Sequence, residues 1–302
     1  MAETCREGHE VPTLNSKKEE KYSCSSGFGN HLARHLDARG VRVLATCTTQ
    51  KGAEQLEKVT SERLTTTVLD VSSTESVAAA TEWVKEQVGN KGLWGLVNNA
   101  GIGVPSGPNE WLTKDDFAKV INVNLLGLID VTLHMLPLVR RARGRVVNIS
   151  SVHGRVATFG GGYVPSKFGA EAFSDTLRRE LHPFGIKVSI VEPGAFKTAV
   201  LSKSAESYEL LWSRLPPDLK ECYGKQFFEQ CCKIAKNLSM TASDNLHLVT
   251  NCIEHALTSC SPRTRYSAGW DAKLFYLPLS YLPTSITDFI MICIWPKPAQ
   301  AV

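Results

Sequence analysis

The sequence predicts an α/β protein built on a doubly wound parallel sheet, with helices on both faces of the sheet. Two observations support this prediction. Between residues 27 and 195, short apolar runs alternate with amphipathic stretches long enough to form helices, which is the pattern of successive βαβ units. Four of the apolar runs are followed by small or polar residues, and in a parallel sheet these would meet at the edge where ligands bind.

The predicted elements alternate in chain order and give a Rossmann-type arrangement. Strands are expected at 41–46, 65–71, 93–98, 144–150 and 186–191, and helices at 30–38, 51–58, 74–88, 115–140 and 163–182. Gly40 suits the end of the first helix, because glycine readily adopts the left-handed conformation found there. Asp115 and Asp116 suit the first turn of the fourth helix, where carboxylates interact favourably with the helix dipole.

The beginning of this pattern is irregular. A strand is expected directly before Gly27-Phe28-Gly29, yet residues 16–21 are all polar or charged. We therefore expect the first strand to be atypical or missing, and residues 1–21 to form an atypical polar N-terminal segment. Losing a buried central strand would remove several kcal/mol of stability at ~25 cal/mol per Å² of apolar surface.

Tyr163, Lys167 and Ser151 are the candidate catalytic residues. Tyr163 and Lys167 are four residues apart, so on a helix they share a face, and a nearby ammonium would lower the pKa of the phenol from about 10. Ser151 follows the apolar run 145–149, from where its hydroxyl can hold a substrate oxygen. A Tyr-x-x-x-Lys pair is common by chance, so its meaning depends on the rest of the chain. The three side chains together suit acid–base chemistry at an alcohol or carbonyl group.

Further motifs accompany these residues: Asn98-Asn99-Ala100-Gly101, Asn122-Val123-Asn124 and Pro193-Gly194. The combination, over residues 26–200, resembles the short-chain dehydrogenase/reductase family. The resemblance implies that Tyr163 is the acid/base, that Lys167 lowers its pKa and holds the nicotinamide ribose, and that Ser151 binds the substrate oxygen. It implies that Asn124 anchors a water linked to Lys167.

The same resemblance implies a dinucleotide site, with Asp70 at the adenine, Asn98 at the adenosine ribose and Thr198 at the nicotinamide amide or a phosphate. Its predicted members are Ser26, Gly27, Phe28, Gly29, Asp70, Val71, Asn98, Ala100, Gly101, Tyr163, Lys167, Pro193, Gly194 and Thr198. The family's first glycine is replaced by Ser23, although Gly27-Phe28-Gly29 before a helix can still offer N–H groups to phosphate.

Four segments, 92–101, 136–147, 171–181 and 295–302, resemble the microsomal branch of that family, which contains retinol and hydroxysteroid dehydrogenases. The last of them resembles the tail of the 11-cis-retinol dehydrogenases. The branch implies a hydrophobic alcohol, retinol first, oxidised with NAD at the endoplasmic reticulum membrane. NADP stays open, because Cys47-Thr48-Thr49 offers neither an acidic nor a basic residue after the second strand. A hydroxysteroid is the alternative substrate, and a non-catalytic homologue or aberrant isoform with a damaged cofactor site is the alternative of another class.

The predicted organisation has a dehydrogenase domain at 22–260, which includes a substrate-covering segment at 199–245, and a C-terminal segment at 261–302. Residues 274–295 are mostly apolar but are interrupted by Pro278, Pro283 and Asp288. A membrane span needs about 20 apolar residues, so this segment is expected to lie on a membrane or to form a lid. A cytoplasmic location is expected instead if the usual N-terminal anchor of the branch is absent.

Composition excludes other classes of function. The net charge is +4 and is spread along the 302 residues, which does not favour nucleic-acid binding. The nine cysteines do not have the spacing of a metal site, so no bound metal is expected. The cysteines are expected to be free thiols. The long helix at 115–140 is a candidate subunit contact for a homodimer.

Overall fold

A single parallel sheet organises the computed structural model, which describes residues 11–14 and 27–301. Its strands in the described residues are β1 Val11–Leu14, β2 Val43–Cys47, β3 Leu64–Val68, β4 Gly95–Asn98, β5 Arg145–Ile149, β6 Lys187–Pro193 and β7 Arg265–Ala268. The strand order is β3-β2-β1-β4-β5-β6-β7, and each neighbouring pair is parallel. The order reverses between β1 and β4, which is where such sheets bind ligands. The predicted doubly wound α/β fold is confirmed.

The central position of the sheet is occupied by β1. Val11 pairs with Val43 on one side, and Thr13 pairs with Val97 on the other. The first strand is therefore atypical rather than missing. It lies upstream of the polar stretch 16–21, whereas a strand was expected directly before Gly27. It is unusual because Pro12 has no N–H to donate within a central strand. Residues 16–21 and Ser26 lie outside the described residues.

The helices that connect the first six strands are close to those expected. They are α1 Phe28–Ala38, α2 Gln50–Glu57, α3 Thr74–Val88, α4 Lys114–Ile121, α5 Gly127–Ala142 and α6 Tyr163–Leu181. Local chemistry begins several of them: the Thr49 and Ser73 hydroxyls accept from the first turns of α2 and α3. Thr113 and Asp116 form a capping box that begins α4.

Helices α4 and α5 are parts of one long helix, joined by the π-helical turn Asn122–Leu126. This helix, Lys114–Ala142, is long and apolar enough to cross a membrane by those two criteria alone. Its buried residues Val131, Met135 and Val139 belong to the apolar layer under the sheet. We therefore assign it to the core of the domain.

Two apolar layers cover the sheet, because successive side chains of a buried strand point to opposite faces. Val147 of β5 packs with the residues of α1, and Val146 packs with those of α3, α5 and α6. Both faces are therefore covered by helices, as a parallel sheet requires.

The chain after β6 forms the substrate-side cover and the C-terminal segment. It contains α7 Ala199–Ser202, α8 Ser204–Arg214, α9 Pro217–Tyr223, α10 Lys225–Thr241, α11 His247–Thr258, α12 Leu277–Leu279 and α13 Thr284–Ile294. A third apolar cluster joins α8 and α10 through Leu211, Phe227 and Cys231 to the side chain of Trp111. Helix α11 instead packs on α1 as part of the sheet cover.

The cysteines differ in one respect from the expectation of free thiols. Cys47 is disulfide-bonded. The free cysteines of the described part are Cys222, Cys231, Cys232, Cys252, Cys260 and Cys293.

Candidate active site

The carboxyl ends of β4, β5 and β6 open into a cavity of about 680 Å³. It extends from the N-terminus of α1 to Trp295, the residue directly after α13. Among the predicted site residues, its lining includes Gly27, Phe28, Asp70, Gly101, Ser151, Tyr163, Lys167, Pro193, Gly194 and Thr198. Residues more than 100 positions apart in sequence thus meet at one edge of the sheet.

Tyr163, Lys167 and Ser151 lie together in the middle of this cavity. The Lys167 Nζ lies 5.6 Å from the centroid of the Tyr163 ring and donates a hydrogen bond to the Ile149 carbonyl oxygen at 2.8 Å. The Ser151 side chain lies near enough to the Tyr163 phenol to lower its pKa. Ser151 also begins the short 3₁₀ turn Val152–Gly154, where its Oγ accepts from the His153 N–H.

Burial controls the proton affinities of these groups. Desolvation raises the pKa of Tyr163 above its ordinary value, and the Ser151 side chain opposes this effect. The net shift of the Tyr163 pKa is therefore opposite to the lowering expected from a nearby cation, because burial is its largest cause. Burial lowers the pKa of Lys167 to about 8, and the negative charge of Glu171 partly opposes this by raising it. Burial also lowers the pKa of His153 to about 4, so its imidazole is neutral at pH 7.

Asn124 fixes the loop that follows β4 beside Lys167. Its Oδ1 accepts from the Ile102 N–H at 2.8 Å, and its Nδ2 donates to the Ile102 carbonyl oxygen and to the Ser166 hydroxyl. The π-helical turn, a feature that often occurs at functional sites, places this side chain inward. Gly101 allows the close approach, since a Cβ there would lie 3.4 Å from Asn124 Oδ1 and 3.7 Å from Lys167 Nζ. The water-anchoring role of Asn124 stays a prediction.

Several predicted cofactor residues lie behind the cavity instead of in its wall. The Asn98 amide donates to Thr132 Oγ1 and Asn148 Oδ1, both at 2.8 Å, and is buried between sheet and helix. Val71 and Gly29 are buried, and Ala100 packs against the apolar layer of α3 and α5. These residues shape the backbone of the site, and their side chains are not part of the cavity lining.

The end of the cavity at α1 fits the phosphates of a dinucleotide. Gly27 has a φ of +102°, a conformation that favours glycine, and no side chain caps α1. An uncapped helix N-terminus leaves N–H groups that suit an anion. Nearby, Asp70 accepts from the Ser72 N–H and hydroxyl, which holds its carboxylate at the cavity wall. The donor set therefore fits a nicotinamide dinucleotide.

Asp271 supports the Pro193-Gly194 segment on the other side of the cavity. Its Oδ2 accepts from the Ala195 N–H at 2.7 Å. Gly194 leaves room for this carboxylate, because a Cβ at that position would overlap both of its oxygens. The sequence analysis missed Asp271, since it lies in the segment after β7 and only the sheet brings the two together.

The far end of the cavity is apolar. Beyond Tyr163 the lining includes Leu201, Tyr208, Cys231, Ile234, Ala235, Leu238, Tyr276, Met291, Ile294 and Trp295. The covering segment 199–245 was expected to supply such residues. Helix α13 belongs to the C-terminal segment that was expected to lie on a membrane or to form a lid. Among the described residues, no group of three or more His, Cys, Asp or Glu side chains is placed to hold a metal ion.

Comparison with known proteins places this geometry in a family. The family model for the short chain dehydrogenase matches residues 23–209, which is more than half of the chain. The chain belongs to the short-chain dehydrogenase family. The site is accordingly that of an oxidoreductase that acts on CH–OH groups and uses a nicotinamide dinucleotide.

Similar curated proteins match nearly the whole chain. Retinol dehydrogenase 16 from Homo sapiens is 63% identical over 281 residues, which are 92% of this chain and 89% of that protein. The 17-beta-hydroxysteroid dehydrogenase type 6 from Homo sapiens is 59% identical over 299 residues, which are 98% of this chain and 94% of that protein. These relatives agree with the microsomal branch to which the sequence motifs pointed.

Solved short-chain dehydrogenases have the same fold. One from Streptomyces avermitilis superposes with a TM-score of 0.73 at 25% identity and covers 95% of this chain and 98% of that one. Another, from Burkholderia cenocepacia J2315 in complex with NADP, gives a TM-score of 0.68 at 19% identity, covers 96% of this chain and 99% of that one, and supports the fold alone.

Proposed function

We propose that this short-chain dehydrogenase oxidises a hydrophobic alcohol, retinol first, by hydride transfer to NAD. The observation that supports this most directly is the position of Tyr163, Ser151 and Lys167 between two different ends of one cavity. One end, at α1, suits a dinucleotide, and the other is apolar. The similarity to a retinol dehydrogenase over most of the chain supports the substrate class.

In this proposal Tyr163 accepts the proton of the substrate hydroxyl, and Ser151 orients the same oxygen. Near pH 7 Lys167 keeps its ammonium charge, because its pKa is about 8. That charge stabilises the phenolate as it forms and leaves N–H groups for the nicotinamide ribose. Bound NAD supplies the hydride acceptor. Gly27 and Phe28 would hold its phosphates, Asp70 would face the adenine, and Thr198 would contact the nicotinamide amide.

NAD is proposed over NADP because of the residues that follow β2. A 2′-phosphate usually requires a nearby arginine or lysine. Thr48 and Thr49 occupy this place, and the Thr49 hydroxyl accepts from the Gly52 N–H at 3.1 Å as the cap of α2. A capping hydroxyl offers no positive charge to a phosphate.

A hydroxysteroid is the second candidate substrate, supported by the 59% identity to a 17-beta-hydroxysteroid dehydrogenase. The decisive experiment is the turnover of all-trans-retinol and of a 3α- and a 17β-hydroxysteroid by the purified chain, each with NAD and with NADP. We expect the highest kcat/KM for retinol with NAD, and at least tenfold less with NADP. A higher value for a steroid would reverse the substrate assignment. No turnover of any alcohol by folded protein would support a non-catalytic homologue.

We further propose that the C-terminal segment binds a membrane surface, in agreement with a location at the endoplasmic reticulum. Helix α13 has no buried residue, and its Phe289 and Ile292 side chains are 69% and 66% exposed. The same helix contributes Met291 and Ile294 to the cavity lining. An apolar helix of 11 residues is too short to span a bilayer, but it can lie in its interface.

A homodimer through the helix Lys114–Ala142 is also proposed, since Leu126 and Leu133 are exposed on it.

Replacing both Phe289 and Ile292 by Asp is expected to abolish binding to phosphatidylcholine vesicles. Burying apolar surface drives such binding at ~25 cal/mol per Å², so two exposed aromatic and aliphatic side chains carry a large share of it. Vesicle flotation followed by quantification of the bound fraction measures the effect. Val59→Asp is the matched control, because Val59 is 58% exposed but follows α2 at the other edge of the sheet. Equal flotation of the double variant and the control would refute the proposed surface.

A further inference from the structure

A line of charged side chains extends from Tyr163 along α6. Lys167, Glu171 and Asp175 follow Tyr163 at intervals of four residues, which places them along one side of the helix. Arg265 of β7 ends the line, because its Nη2 donates to Glu171 at 2.8 Å and to Asp175 at 3.0 Å. The two carboxylates therefore lie between the ammonium of Lys167 and the guanidinium of Arg265.

Glu171 is buried between the helix and the turn that carries Ser151. Its side chain is only 7% exposed. Gly154 in that turn leaves the space for it, since a Cβ at Gly154 would lie 2.8 Å from the Cγ of Glu171 and 3.1 Å from the Lys167 carbonyl oxygen. Glu171 is thus held one helical turn from Lys167 and directly behind the catalytic turn.

Glu192 connects the same charges to the cofactor side of the site. It immediately precedes Pro193-Gly194, and its Oε1 accepts from the Arg155 Nη1 at 3.2 Å and lies 3.4 Å from the Arg265 Nε. Arg155 belongs to the stretch that follows Gly154. The two arginines therefore join α6, the Ser151 turn and the end of β6.

We propose that Glu171 is a positioning residue for the reaction, and that its carboxylate keeps Lys167 in the ammonium form. This role rests on the proposed function of Lys167 in the dehydrogenase chemistry. Arg265 and Gly154 serve it by fixing the Glu171 side chain one helical turn from the lysine. Without Glu171, a lysine so deeply buried would lose its proton more readily.

The sign of the effect follows from the neighbours of Lys167. Burial lowers the pKa of Lys167 to about 8, and the charge of Glu171 raises it. Removing that charge should therefore lower the pKa further. The other titratable or charged groups on the elements around Lys167 are Tyr163, Lys119, His153, Arg155, Glu192, Arg265 and Asp271. Among these, His153 is neutral at pH 7, and Glu192 is engaged with both arginines.

The test is the proton affinity of Lys167 in the cofactor-free protein. Competitive acetylation with acetic anhydride across pH 6 to 11, read by mass spectrometry of the Lys167 peptide, follows the unprotonated fraction. In Glu171→Gln we expect the midpoint to fall by about one pH unit relative to the wild-type chain. The alkaline limb of kcat/KM for the alcohol should move to lower pH by the same amount.

Asp175→Asn is the matched control, because it removes another partner of Arg265 but leaves the charge next to Lys167. We expect the Lys167 midpoint in Asp175→Asn to equal that of the wild type. In Glu171→Asp, which keeps a carboxylate, the midpoint should return most of the way from the Glu171→Gln value to the wild-type value. Glu171→Met also removes the carboxylate, keeps a side chain of similar length and replaces Glu171→Gln if that variant does not fold. An unchanged midpoint in a folded variant lacking Glu171 would overturn the proposal. If the Lys167 midpoint is shifted in Glu171→Gln but the wild-type chain oxidises no alcohol, the effect of Glu171 on Lys167 stands and the proposed function is refuted instead.

Discussion

Tyr163→Phe is expected to reduce kcat for alcohol oxidation by about 10²–10⁴-fold, the usual contribution of a general acid or base. The Tyr163 phenol is the group whose pKa Ser151 lowers, and its ring centroid lies 5.6 Å from the Lys167 Nζ. Phenylalanine keeps the ring and its packing but has no exchangeable proton. The affinity for NADH should stay within about twofold, because the residues at α1 and at Pro193-Gly194 are untouched. Steady-state kinetics and NADH fluorescence titration measure the two quantities.

A second tyrosine in the same cavity provides the control. Tyr276 lines the cavity near His153, and burial raises the pKa of its phenol as it does for Tyr163. Its ring packs on that of His153, and the charge of Asp271 adds to the effect of burial on its phenol. Tyr276→Phe should therefore keep kcat within a few-fold of the wild type. Equal losses in the two variants would mean that cavity packing, and not proton transfer, explains the effect of Tyr163.

The sequence predicted the repeating part of the fold because that part is encoded locally. The helix expected at 74–88 coincides with Thr74–Val88, where Ser73 caps the first turn and the apolar spacing is regular. The first strand was expected to be atypical or missing and was not located, because Val11–Leu14 is short, contains Pro12 and is remote from Gly27. Strand β7 was not predicted at all, since four residues with two apolar side chains give little signal.

The candidate site divides in the same way. The spacing of Tyr163 and Lys167 and the position of Ser151 after a strand were enough to bring those residues together. Asn98 was expected at the cofactor, but its neighbours Thr132 and Asn148 become visible only when β4, β5 and α5 are packed. The tyrosine pKa was predicted in the wrong direction because sequence spacing shows the nearby cation but not the desolvation that opposes it.

Arg265→Ala is expected to lower the free energy of unfolding by about 3–5 kcal/mol, as for other buried ion pairs from which one partner is removed. Arg265 contacts three carboxylates, those of Glu171, Asp175 and Glu192, and the side chains of Glu171 and Glu192 are buried. Alanine would leave these negative charges without the cation between them. Since whole domains are stable by about 5–15 kcal/mol, this is a large fraction of the total. Urea unfolding at pH 7.5, followed by circular dichroism, measures it.

The pH dependence of that loss identifies its origin. Burial and the charge of Glu192 already raise the pKa of Glu171, so the folded state binds this proton more tightly than the unfolded state does. Such a carboxylate destabilises the fold progressively as pH rises from its unfolded pKa of about 4.3 toward its raised folded pKa. Removing Arg265 enlarges the shift, so the deficit of the variant should be greater at pH 7.5 than at pH 5.

Arg39→Ala provides the comparison, because Arg39 also binds a carboxylate, that of Glu254, but is 66% exposed. An exposed pair contributes about 0–1 kcal/mol, and its loss should vary little between the two pH values. If Arg265→Ala behaved like Arg39→Ala, the charges behind α6 would be solvated and could not hold the catalytic helix against the Ser151 turn. A large, pH-dependent deficit for Arg265 alone would mean that the fold depends on the same charges that are proposed to keep Lys167 protonated. The stability of the sheet edge and the proton affinity of the active site would then have one physical cause.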